Sequence, residues 1–141
     1  MILEEPAMDR LLDKHCDPRQ YSPLTLAFIG DGVFDLMVRE LLVTQANRPV
    51  GELNQLKVQK VCCKSQAEFA ALLLPELSEE EEAVYRRGRN AHSRPPKNAS
   101  SADYHGATGF EALWGYLYLL GRIGRLRELF EKLMRGGESD T

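Results

Sequence analysis

Apolar residues recur along this chain at three- and four-residue intervals, and no stretch alternates apolar and polar positions as a half-buried strand does. The pattern predicts an all-α fold. Its first helix runs from about Pro23 to Val43: Ser22 stands where an N-cap belongs, Pro23 suits a first turn, and apolar residues occupy nearly every face. Such a helix is expected to be central and buried. After the breaker Asn47 to Gly51, a second helix is expected from near Glu52 through Leu56, Val61, Ala67 and Ala70 to about Leu74, where Pro75 ends it. Ser78 and Glu81 have the spacing of a capping box, and Glu79 to Glu82 place negative charge on the positive end of a helix dipole, so a third helix begins there.

Gly88 and the pair Pro95, Pro96 predict a loop over Tyr85 to Asn98. A further helix should cover about Ser101 to Leu120, with breaks near Gly106 and Gly109, and the last should cover about Leu126 to Met134. The chain is expected to be one domain over 1–135, with its core at 21–133 and a disordered tail at 136–141.

Composition narrows the function. With 18 Lys and Arg against 21 Asp and Glu, the net charge is -3, so any surface that attracts nucleic acid must be local. Cys16, Cys62 and Cys63 are odd in number and lack CxxC spacing, which argues against a disulfide framework or a zinc site and fits a reducing cytosol. No apolar run reaches the roughly 18 residues of a membrane span, and the first ten residues lack the pattern of a secretory signal. A cytoplasmic protein with no membrane partner is expected.

Two carboxylates stand out because each interrupts an apolar helix. Asp31, between Gly30 and Gly32, would be costly to bury without a partner, and the glycines weaken the helix unless another helix or a ligand approaches closely. Pairing with an arginine or capping of a neighbouring helix would also account for Asp31. Asp35 has Arg39 four residues on, which explains it as an ion pair outside the site.

Glu111 lies among large apolar side chains, and Thr108 three residues before it offers the alternative of a capping box. Together, two inward-facing carboxylates form an acidic pocket that calls for a cation, and oxygen ligands select magnesium, or manganese in its place. The segment from Tyr85 to Asn98 carries Arg86, Arg87, Arg89, Arg94 and Lys97, with Asn90 among them and no acidic residue, so it is either a solvated charge run or a phosphate-binding loop. His15, His92 and His105 show no metal-ligand spacing, and no nucleophile motif is present.

These residues fall in a known pattern. LTLAFIGDGVFDL resembles the LEFLGDAVLEL-type signature of the ribonuclease III catalytic domain, and ATGFEALWGYLYL resembles its TFEALIGALYL segment. RRGRNAHSRPPKN followed by TGFEAL resembles the branch called Mini-ribonuclease III, which is the catalytic domain without a double-stranded-RNA-binding domain. The resemblance spans about Tyr21 to Leu133 and implies magnesium-dependent hydrolysis of duplex RNA to 5'-phosphate and 3'-hydroxyl ends. It makes Asp31 the catalytic aspartate and Glu111 the glutamate that holds the metal.

Leu24, Ala27, Val50 and Thr108 stand where ordinary ribonuclease III carries further acidic residues, which argues against a second tightly held metal. Severing a duplex takes two cuts related by approximate two-fold symmetry, so a C2 homodimer is expected. The resemblance further implies precursor 23S ribosomal RNA as substrate and a large-subunit ribosomal protein as partner. The competing reading is a non-catalytic double-stranded-RNA-binding dimer of the same fold.

Overall fold

The computed structural model of the protein describes residues 9–91, 94–97 and 99–138. Among the described residues there are six α-helices and no strand: α1 Pro23–Gln45, α2 Val50–Val61, α3 Cys63–Leu73, α4 Glu79–Arg89, α5 Ser101–Leu119 and α6 Ile123–Glu138. Ser22 caps α1 by accepting from Thr25 N, with Pro23 in the first turn. The capping box of α4 is formed in full, Glu81 N donating to Ser78 Oγ at 3.1 Å and Ser78 N donating to Glu81 Oε1 at 2.9 Å.

Several boundaries differ from the sequence expectation. The expected second helix is two, because Cys62 adopts an extended backbone (ψ 159°) and separates α2 from α3. No side-chain signal marks that break. The helix from Ser101 is continuous through Gly106 and Gly109, since both are sites of close packing: a Cβ on Gly109 would stand 2.7 Å from Tyr85 O, and one on Gly106 3.1 Å from Ala67 Cβ. Gly88 is likewise inside α4 rather than in a loop, with its missing Cβ 2.8 Å from Gly109 Cα. The last helix extends to Glu138 and takes in the first three residues of the expected tail, while 139–141 lie outside the described residues.

Helix α5 is the axis of the molecule. Every residue from Gly106 to Leu117 except Glu111 is buried, beneath α1, α3 and α4. Phe34 of α1 meets Phe110, Trp114, Phe69 and Phe130 edge-on, with ring centroids 4.9 to 6.0 Å apart, an arrangement that suits aromatic quadrupoles. Helix α1 is not buried all round, as its sequence suggested: Phe28 is 83% exposed, and Leu36 and Val43 also face outward.

The acidic start of α4 does more than complement a dipole. Glu81, 3% exposed, accepts from Arg125 of α6 at 2.7 and 2.8 Å, and Glu80 accepts from Tyr116 of α5 and from Arg122 at 3.0 Å. These pairs fasten α4 to the end of α5 and the start of α6.

Candidate active site

The site begins with two glycines. A Cβ on Gly30 would stand 1.8 Å from Glu111 O, and one on Gly115 would stand 2.0 Å from Leu26 O, so α1 and α5 cross with their backbones in contact. Asp31 follows the first glycine, and Glu111 precedes the second by one helical turn. The crossing therefore brings the two carboxyl groups close enough for the Asp31 charge to act on Glu111.

Their environments differ from the two inward-facing carboxylates that the sequence suggested. Asp31 is exposed at the mouth of the crossing, while Glu111 lies largely inside it. Burial first, then the neighbouring Asp31 charge and the hydrogen bond between them, pushes Glu111 up to about 8; the Gln66 amide works in the opposite direction. Neither of the alternative accounts of these residues holds. Thr108 sits within α5 and donates to Tyr104 O at 3.0 Å, so it is no cap for Glu111. Among the described residues no arginine pairs with Asp31, whereas Asp35 is held by Arg39 at 2.6 Å and Lys57 at 3.5 Å, as an ion pair outside the site.

Two neighbours come from α3, which sequence reasoning had not singled out. Burial raises the pKa of the Cys63 thiol, and the nearby carboxylates of Glu111, Asp103 and Asp31 add to it. Gln66 is 1% exposed and faces Glu111. A signal existed for Gln66: it falls on the stripe of Cys63, Ala67, Ala70 and Leu73 that α3 turns inward, where a polar residue is out of pattern.

The oxygen set suits a hard cation. Two adjacent carboxylates that otherwise must share a proton lose that penalty beside a divalent ion, and magnesium commonly binds through one or two carboxylates while keeping several waters. No cluster of three or more His, Cys, Asp or Glu with metal-binding geometry exists among the described residues. Leu24 and Val50 are exposed apolar residues and Ala27 and Thr108 are buried, so none of these four positions adds a carboxylate.

The basic residues divide into two sets. Arg86, Arg87 and Arg89 belong to the last turn of α4 rather than to a loop, and Asn90 is its C-cap. Arg86 pairs with Glu82, Arg87 donates to Tyr21 O at 3.4 Å, and Arg89 lies 5.7 Å from the centre of the Tyr85 ring. Arg94 and Lys97 follow as exposed residues of the connection to α5. Since Gly88 packs on Thr108, Gly109 and Ala112, this basic end of α4 lies level with Glu111 along α5. His92 and Asn98 lie outside the described residues, and His105 is partly buried on α5 beside Tyr104.

A separate groove of about 830 Å³ runs along the outer face of α1. Phe28, Gly32, Leu36, Tyr118 and Phe130 line it, and neither Asp31 nor Glu111 does. The carboxylate pair and this apolar groove therefore sit on adjoining faces of one helix.

The sequence profile of the family described as "Ribonuclease III domain" matches residues 24–122, an interval that contains both carboxylates. The chain belongs to the ribonuclease III domain family. It is accordingly an endoribonuclease, a hydrolase that leaves 5'-phosphate ends. Among its relatives is the Mini-ribonuclease 3 of Thermoanaerobacter sp. (strain X514), 49% identical over 78% of each chain. That of Symbiobacterium thermophilum is 42% identical over 82% of this chain and 89% of its own. A crystal structure of a Fusobacterium nucleatum protein superposes with a TM-score of 0.79 at 28% identity, covering 87% of this chain and 99% of the other. The resemblance read from the two helical motifs is thus borne out across most of the chain.

Proposed function

We propose that the protein is a magnesium-dependent endoribonuclease that cuts both strands of duplex RNA as a homodimer. The observation that carries this reading is the Gly30–Gly115 crossing, where backbone contact between α1 and α5 places the Asp31 and Glu111 carboxyl groups side by side. Asp31 and Glu111 would hold the ion, manganese serving as a substitute, and magnesium supplies Lewis-acid stabilisation of charge on the phosphate together with a more acidic water. The protein's own work is positioning. The crossed helices fix the carboxylates, and the basic residues hold the strand by its phosphates.

Arg94 and Lys97 are exposed for that role, and Arg86 is released from Glu82 at little expense because an exposed ion pair contributes about 0–1 kcal/mol. Arg87, Arg89 and Asn90 complete the surface at the end of α4. A-form RNA presents its backbone and wide minor groove, so recognition is by shape with little base reading, and the products carry 3'-hydroxyl as well as 5'-phosphate ends.

The apolar groove along α1 supports the homodimer. A phenylalanine with 83% of its surface exposed, beside a glycine with open space around it, fits a self-complementary contact of the kind a two-fold axis makes. The resemblance to the Mini-ribonuclease III branch supports precursor 23S ribosomal RNA as the natural substrate, a large-subunit ribosomal protein as partner, and a cytoplasmic setting, with which three free cysteines agree.

The test is cleavage of a purified RNA duplex with and without magnesium by the wild type, Asp31→Asn and Glu111→Gln. Metal-dependent cutting that is lost in both variants while duplex binding persists supports the reading. Salt-sensitive binding with no cutting by the wild type would establish the non-catalytic RNA-binding dimer instead.

A further inference from the structure

Gln66 is a polar residue where α3 has no structural use for one. It is 1% exposed, and among the described residues its Nε2 and His105 Nδ1 are the buried side-chain polar atoms without a hydrogen-bond partner. An unsatisfied buried donor destabilises the fold, so an apolar side chain of the same length would serve the core better. The neighbouring stripe residues, Ala67, Ala70 and Leu73, are apolar.

The amide is nevertheless placed with care. Ala67, the next residue, packs against Gly106 of α5, whose absent Cβ would stand 3.1 Å from that of Ala67. This contact ties the backbone of α3 to α5 one turn and a half before Glu111. The Gln66 amide then lies beside the Glu111 carboxyl, close enough to favour its charged form, although no acceptor meets Nε2 in hydrogen-bond geometry.

We propose that Gln66 is a positioning residue for the cation site: its Nε2 donates to one oxygen of the ionised Glu111 carboxylate and turns the other oxygen toward Asp31 and the metal. A carboxylate has more acceptor sites than one metal ion occupies, and a fixed donor on the remaining oxygen sets its plane. With Asp31 and Glu111 holding a cation, the Glu111 oxygen turned away from it would be the acceptor that the buried Gln66 Nε2 lacks. This inference rests on the metal-dependent reading above.

The test uses the full chain and Mn2+ as the probe, with binding read from the electron paramagnetic resonance of free Mn2+ and folding from thermal unfolding without metal. Gln66→Met should leave the metal-free Tm unchanged or raised and weaken Mn2+ binding about 10- to 100-fold, the usual consequence of losing an outer-shell partner. A lowered metal-free Tm with unchanged Mn2+ affinity would overturn the proposal and make Gln66 a structural residue. Gln66→Asn keeps an amide but withdraws it by one methylene, so it should also weaken Mn2+ binding; affinity equal to that of the wild type overturns the proposal even where Gln66→Met does not fold. Absence of Mn2+ binding by the wild type defeats the metal reading and this inference together, whereas binding that Gln66 variants leave intact defeats this inference alone.

Discussion

Gly30 and Gly115 touch backbone to backbone: a Cβ on Gly30 would stand 2.7 Å from Gly115 N and 1.8 Å from Glu111 O. The crossing of α1 and α5 is therefore set by the absence of two side chains, and the spacing of Asp31 and Glu111 follows from it. Gly30→Ala has no flexible neighbour to displace and must push one helix off the other. Overpacking of this kind typically costs about 1–3 kcal/mol, and the value here should lie at or above the top of that range. Chemical denaturation measures it, and a neutral Gly30→Ala would show that the helices are free to separate.

Gly32 supplies the contrast. A Cβ there meets nothing within 4 Å, so in an isolated subunit Gly32→Ala should stabilise α1 by up to ~1 kcal/mol through helix propensity. The expected signature is a higher Tm for a monomeric preparation. If the groove beside it is the dimer interface, the same substitution should weaken self-association, which sedimentation at several concentrations would detect.

The pH dependence of metal-free stability follows from Glu111. Its folded pKa, about 8, is above the unfolded value, so the folded chain binds more protons than the unfolded chain between roughly pH 4.5 and 8. Stability must then fall as pH rises through that window, at no more than ~1.4 kcal/mol per pH unit from this group. Glu111→Gln removes the titrating proton and should flatten the profile. An equally steep fall in the variant would assign the effect to other groups.

Much of this arrangement was legible in the sequence, and the exceptions have physical causes. Asp31 and Glu111 could be found because a carboxylate in an apolar helix violates the pattern that surrounds it. The capping box at Ser78 was equally visible, since it is local. The break at Cys62 was not, because it lies in backbone angles at a residue that carries no turn signal. Gly88, Gly106 and Gly109 misled in the opposite direction: a glycine that interrupts a helix and one that admits a neighbouring helix look alike until the neighbour is placed. The burial of α1 was overestimated for a related reason, as apolar residues that the chain leaves exposed read like a core face.

Arg125 should matter more than an ordinary surface arginine. It is the charged partner of Glu81, which is 3% exposed and whose pKa is lowered first by the Arg125 hydrogen bonds. Arg125→Met leaves that carboxylate buried without its cation, a change that typically costs about 3–5 kcal/mol. Glu81→Gln keeps the capping-box geometry and should cost clearly less. Because the folded pKa of Glu81 is depressed, its contribution is present above the unfolded carboxylate range and is lost as pH falls through the folded value. Urea unfolding of both variants at neutral and acid pH tests the pair, and similar losses would mean that leaving the Glu81 carboxylate without its cation carries no added penalty.

Phe28 links the fold to the outcome of cleavage. Its ring is 83% exposed on the same helix as Asp31, three residues before it, and it opens onto the apolar groove. If two copies meet there, Phe28→Glu places a charge in a desolvated contact on both sides of the axis and should yield a monomer of 15.9 kDa. The fold should survive, because the exposed ring contributes little to the core of its own subunit. A monomer retains one carboxylate pair and so can cut only one strand per encounter, which predicts nicked duplexes in place of paired breaks on a native gel. Paired breaks at the wild-type rate from a monomeric Phe28→Glu would separate double-strand cleavage from this surface and place the symmetry axis elsewhere.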